Sequence, residues 1–110
     1  MGFTIVNSID VSDGCGVYLD NTYATIAGQF RMERRNDLYN GDIKYYLCTS
    51  CSIYRDKNAY DNRKNPILVN IYIDKLIDAV IGDYYRIAYD ALKERVKEIF
   101  NNQNLTFIDN

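Results

Sequence analysis

Two runs of alternating residues flank a tight-turn signal, and no other feature of the chain restricts its architecture as much. From Tyr23 to Arg34, Ala24, Ile26, Gly28, Phe30 and Met32 share one side, and Thr25, Ala27, Gln29, Arg31 and Glu33 share the other. From Ile43 to Tyr54, Tyr45, Leu47, Thr49, Cys51 and Ile53 alternate with Tyr46, Cys48, Ser50, Ser52 and Tyr54. Successive side chains of a strand point to opposite faces, so each run predicts a strand with one buried face. Between them, Asn36–Asp42 contains Asn40-Gly41, a pair that accepts the positive φ of a tight turn. The two runs therefore predict an antiparallel hairpin.

The flanking segments extend this pattern. Phe3–Val11 alternates weakly and predicts a first strand, ended by Ser12-Asp13-Gly14. Gly14 and Gly16 flank Cys15 and mark a turn or bulge with positive φ. Val17–Leu19 starts a second strand, with a kink at Asp20-Asn21. Arg55–Asn65 is a polar loop, and Pro66 leads into a β-branched strand over Ile67–Ile73.

The last third is helical. Tyr84, Ala88, Ala91, Leu92, Val96 and Ile99 form an apolar stripe at helical spacing over Tyr84–Phe100. Asp83 is placed to cap its N-terminus, and Lys93, Arg95 and Lys97 suit its C-terminal half. Arg95 falls within the stripe, where its stem covers the core edge and its head reaches water. Asp74–Ile81 reads as a short turn or helical piece, broken from the main helix at Gly82. A single longer helix is the other reading, because Ile77 and Ile81 stay in phase with the stripe. Leu105–Ile108 forms a short final strand or a docked tail.

Strands first and helix last predict an α+β fold: an antiparallel sheet of about four to five strands, with the C-terminal amphipathic helix packed on one face. At 110 residues the chain is expected to form a single domain. It is β-rich over 1–73 and helical over 74–102, with a short tail at 103–110.

Composition narrows the function classes. The net charge is −2, and the nearest candidate for a basic patch, Arg31, Arg34 and Arg35, has Glu33 inside it. Nucleic-acid binding needs a basic stripe that neutralises phosphates, so that cluster reads as a solvated strand end. No apolar run reaches membrane-spanning length, and no basic region followed by an apolar run opens the chain. Met1-Gly2 lacks the Ser or Thr at position 6 that myristoylation prefers, since residue 6 is Val6. Three cysteines, an odd number, do not suggest a disulfide framework.

Candidate chemistry is thin. There is no histidine, which removes imidazole as base, nucleophile partner or zinc ligand. Cys48-x-x-Cys51 lies in a strand pattern, where residues three apart face opposite sides, so the two thiols are not expected to meet. Asp10-x-Ser12-x-Gly14 lacks the Gly and Glu of a calcium loop, having Cys15 and Asn21 at those positions. Gly14-x-Gly16 lacks the third glycine of a dinucleotide fingerprint. No residue is assigned a catalytic, cofactor-binding or metal role.

The tyrosines are more informative. Tyrosine joins a large apolar body to a polar tip, which suits protein interfaces. Tyr45 and Tyr46 are neighbours on one strand, so at least one of them leaves the local core. Tyr45, Tyr46, Tyr54 and Tyr60 are the candidate contact residues, beside the bland reading of half-buried strand tyrosines.

Three stretches also resemble small virion structural proteins of tailed bacteriophages, including those of the crAss-like group: Asn21-Thr22-Tyr23-Ala24-Thr25-Ile26; Ser52-Ile53-Tyr54-Arg55-Asp56-Lys57-Asn58-Ala59-Tyr60 running on to Asn65-Pro66-Ile67; and Tyr85-Arg86-Ile87-Ala88-Tyr89-Asp90-Ala91-Leu92-Lys93. Abundant Asp, Asn, Ile, Tyr and Lys fits the AT-rich genomes of that group. The Cys48–Ser52 stretch and the tail after Phe100 depart from the pattern. The resemblance implies a non-enzymatic assembly protein: a capsid decoration, a head-fibre attachment, or a neck or tail component. It would be assembled in the host cytoplasm and located in the virion. Its partners would be copies of itself and capsid, fibre or neck proteins, with no nucleic acid and no membrane. The alternative is a small phage-encoded inhibitor that binds a host protein.

Overall fold

A computed structural model of the chain describes residues 2–36, 38–39, 41–77 and 83–109. In chain order the elements are β1 (Gly2–Ile5), β2 (Ile9–Asp10), β3 (Tyr18–Leu19), β4 (Thr22–Ile26), β5 (Arg31–Asn36), β6 (Ile43–Tyr54), α1 (Lys57–Asp61), β7 (Leu68–Ile77), α2 (Tyr84–Ile99) and β8 (Phe107–Asp109). The fold is α+β, mostly antiparallel sheet with the C-terminal helix packed against it.

The predicted hairpin organises the sheet. β6 occupies the span expected for it, and β5 pairs with it from Asn36↔Ile43 to Arg31↔Cys48. β4 continues along the same edge, from Ile26↔Cys51 to Tyr23↔Tyr54. β7 takes the other edge, so Cys48 lies between Arg31 and Asp74. β1 pairs with β4, and β8 with β1. The sheet has six strands. Because β4 and β5 share one edge of β6, its width is that of five. β2 and β3 form a separate two-stranded ribbon.

The single strand expected over Tyr23–Arg34 is interrupted. Ala27 and Gly28 both donate their N–H groups to the Ser50 carbonyl, at 3.0 and 3.1 Å. Residues 27–30 thus bulge against Thr49 and Ser50 alone, and Gly28 lies so close to Ser50 that a Cβ would meet its hydroxyl. Two extra residues preserve the alternation, so Ala24, Ile26, Phe30 and Met32 still face the helix side.

Three other expectations change. The strand expected over Phe3–Val11 divides into β1 and β2, which belong to different sheets. At the divide, Val6 donates to the Thr106 carbonyl and the Asn7 side chain accepts from the Thr106 N–H, so the tail holds the chain there. The polar loop contains α1, capped by Asp56, whose carboxylate accepts from the Ala59 N–H at 2.7 Å. Residues 74–77, read as a turn or helical piece, are the end of β7. Pairing with β6 overrides the local signal there. The rest of that segment, with the break expected at Gly82, lies outside the described residues, as does Asn40 of the turn.

α2 has the expected start. The Asp83 carboxylate accepts from the Arg86 N–H at 3.2 Å. Ala88, Leu92 and Val96 are fully buried against Phe3, Ile5, Leu47, Cys51, Ile53 and Ile73. Burial of a Leu or Val side chain contributes roughly 1.5–3 kcal/mol. Ile99, expected on the stripe, is 41% exposed at the helix end. The Arg95 head reaches the helix surface, where it pairs with Glu98. Tyr89 ties helix to sheet: its hydroxyl lies 3.3 Å from the Thr25 hydroxyl and accepts the Ile26 N–H.

Candidate contact surfaces

The four tyrosines singled out from the sequence are all half-buried, and the structure distributes them over two faces of the sheet. Tyr45 faces α2 and packs against the Leu47, Ile77 and Ala88 cluster. Tyr46 points the opposite way, as strand alternation requires. Tyr54 and Tyr60 come together beyond the other end of β6. Their ring centres are 5.1 Å apart, and Tyr60 is also 5.1 Å from Tyr23. That trio anchors α1 over the opposite face of the sheet. Tyr54 and Tyr60 are thus one unit, remote from Tyr45 and Tyr46.

Around Tyr46 lies a charged cluster. The Arg35 guanidinium stacks on the Tyr46 ring at 4.0 Å and pairs with Glu33 and with Asp74, the latter at 2.9 Å. Arg31 also pairs with Glu33. The hydrogen bond that Arg35 donates to the Glu33 carboxylate, joined by the charges of both arginines, holds that carboxyl below the ordinary glutamate range. The basic cluster seen in sequence is therefore interleaved with acids in space as well.

The cysteine pair behaves as strand geometry demands. Cys51 lies in the core, where burial pushes its thiol up to about 12. Cys48 faces the other side, 3.6 Å from an Asp74 oxygen, and its thiol is raised first by burial and then by that acid. All three cysteines are free thiols, and Cys15 is exposed. The Asp10 carboxylate accepts from the Ser12 N–H, the Ser12 hydroxyl and the Gly16 N–H, which lowers its pKa, the Ser12 hydroxyl contributing most. That arrangement is a self-bonded turn, with Asp13, Gly14 and Gly16 at positive φ. Among the described residues no group of three or more potential metal ligands converges, and no helix is long and apolar enough to cross a membrane.

The exposed apolar side chains lie elsewhere. Leu38 and Tyr39, in the β5–β6 connection, are 94% and 100% exposed. The sequence carried a signal for them: an apolar pair inside an otherwise Asn-, Asp- and Gly-rich turn. β7 is the second site. It pairs with β6 along one edge, and among the described residues no strand pairs with its other edge. Val69, Tyr72 and Leu76 are exposed on it. Asn70, at φ +58°, forms a bulge opposite Ser52, and Asp74 and Lys75 place charges along the strand. Bulges and charges of this kind are how edge strands resist indiscriminate pairing. A third apolar area lies at the far end of the molecule, between the β2–β3 ribbon and the C-terminus of α2.

No family model, curated protein or solved structure matches this chain.

Proposed function

We propose that this chain is a non-enzymatic assembly protein, acting through protein–protein contacts as a structural component of a tailed-phage virion. The virion setting rests on the three stretches that resemble such proteins. The assembly role rests on the molecule's surface. One observation carries it: Leu38 and Tyr39 are almost wholly exposed at the outer end of a long hairpin. Large apolar side chains held in water at a protruding tip suit burial against another chain. Elongation agrees with this reading, because the radius of gyration is 15.4 Å where a chain of this length averages roughly 13 Å.

Light scattering across a concentration series, on the wild type and on a Leu38→Ser, Tyr39→Ser, Tyr72→Ser variant, tests the role. A discrete wild-type oligomer that the variant loses, with unchanged circular dichroism, supports it. A wild type that stays monomeric and tightly binds a single host enzyme would replace it with the inhibitor reading.

A further inference from the structure

We infer that two copies of this chain associate through the free edge of β7, the two strands pairing antiparallel about a two-fold axis at Ile73 so that the sheet continues from one copy into the other. The inference rests on the assembly reading above and adds to it the partner, the surface and the symmetry.

The hydrogen bonds of β6 show which backbone groups β7 leaves free. The Ser50 carbonyl accepts from Ala27 and Gly28, on the β4–β5 side, and the Ile53 carbonyl accepts from Ile67, on the β7 side. Backbone groups of successive residues in an antiparallel ladder point to alternate edges, so those of Leu47, Thr49 and Cys51 point towards β7. Their partners there are Lys75, Ile73 and Ile71. The N–H and C=O groups of Tyr72, Asp74 and Leu76 therefore point away from β6. Among the described residues no strand pairs with that edge. At ten residues β7 is the longest outer strand, against six in β5 and three in β8.

The edge is open on both faces of the sheet. On the α2 side lies a hollow of about 710 Å³, lined by Ile73, Lys75, Ala91 and Arg95 among others. On the opposite side lies one of about 330 Å³, lined by Arg35, Ser50 and Tyr72 among others. A strand laid along this edge displaces no element of the fold.

The side chains select the register. Outward groups must meet outward groups, which places a two-fold axis at a single residue of the strand. An axis at Asp74 or Lys75 sets two like charges directly opposite each other. An axis at Ile71 or Tyr72 draws Asn70, bulged at φ +58°, into the middle of the pairing. Axes nearer either end pair fewer residues. An axis at Ile73 meets none of these objections. It puts Tyr72 opposite Asp74 of the second copy, where the two exchange backbone hydrogen bonds, and Ile73 opposite its own counterpart. Tyr72, 66% exposed in one copy, then lies beside the Asp74–Arg35 pair of the other. The charges and the bulge that resist indiscriminate pairing thus leave one register of self-pairing. Because the same surface meets itself, the contact is isologous and closes at two copies.

The test is light scattering, with circular dichroism as the fold control. In Tyr72→Pro the lost N–H is one that points outward, so the ladder with β6 stays intact and only the free edge loses a donor. The wild type is expected to be dimeric and Tyr72→Pro monomeric. A folded Tyr72→Pro chain that dimerises like the wild type overturns pairing through β7 while leaving the assembly role standing. A wild type that is monomeric at every concentration overturns self-assembly along with it. Should the proline variant lose its fold, disulfide trapping in a Cys15→Ser background reads the register. Ile73→Cys is expected to give a covalent dimer on mild oxidation, since its thiols meet at the axis. Leu76→Cys is expected to give none, since its copies lie roughly 20 Å apart. No dimer from Ile73→Cys, or one from Leu76→Cys formed as quickly, overturns this pairing.

Discussion

The guanidinium carbon of Arg35 lies 4.0 Å from the centre of the Tyr46 ring on the adjacent strand. This stack holds the planar group where it reaches Glu33 on its own strand and Asp74 on β7. Three strands are thereby joined on the face of the sheet opposite α2. A planar, delocalised cation is required, so Arg35→Lys is expected to lose the bridge although it keeps the charge.

The same cluster sets an acid sensitivity. The Glu33 carboxyl is held below its usual 4.5 by the hydrogen bond from Arg35 and by Arg31. A carboxyl depressed in the fold contributes stability that is present above the unfolded value, about 4.5, and is lost as pH falls through the folded value. Glu33→Gln is therefore expected to flatten the acid limb of a denaturation-midpoint profile below pH 4.5 and to leave its slope near neutrality unchanged. An acid limb identical to wild type would show that the pair contributes nothing.

Gly2 has no room for a side chain. A Cβ there would lie 2.5 Å from the Ala24 carbonyl oxygen and 2.6 Å from the Tyr23 hydroxyl. Tyr23 is 1% exposed and cannot swing away. Gly2→Ala is expected to cost about 1–3 kcal/mol in urea unfolding. Tyr23→Phe added to it should not restore stability, because the backbone carbonyl remains in the way.

Thr22 is fully buried, and its hydroxyl has no hydrogen-bond partner among the described residues. An unsatisfied buried hydroxyl is destabilising, and valine has nearly the same shape without it. Thr22→Val is expected to raise stability by about 1 kcal/mol, seen as a higher urea midpoint with an unchanged slope. A lower midpoint would mean that the hydroxyl is satisfied in solution.

The thiols should react in order of exposure. Cys15 is exposed, whereas burial drives the Cys51 thiol up to about 12. At pH 8 a thiol reagent is expected to label Cys15 rapidly and Cys51 only after unfolding. A thiol whose pKa is raised in the fold stays protonated there longer than in the unfolded chain. Stability from this group is thus full below the ordinary value of 9.0 and declines as pH rises towards 12. Rapid labelling of Cys51 in the folded protein would show that the β6 core opens readily.

Local signals were enough to read β6, α2 and the Asp83 cap, and to divide each run into its two faces. Alternation and capping act between near neighbours, so the residues that carry them are adjacent in sequence. The two-faced arrangement of Cys48 and Cys51, and of Tyr45 and Tyr46, follows from strand geometry alone. Longer-range relations required the assembled fold. The bulge at Gly28 exists because that segment crosses Ser50. The extension of β7 through Ile77 comes from pairing with β6, and the split between β1 and β2 comes from a tail that arrives from residue 106. The half-burial of Tyr54 and Tyr60 depends on α1 folding over Tyr23. A strand tyrosine reads alike whether it meets a neighbour's ring or water, and only tertiary packing, by covering some apolar side chains and leaving Leu38 and Tyr39 exposed to solvent, separates the two cases.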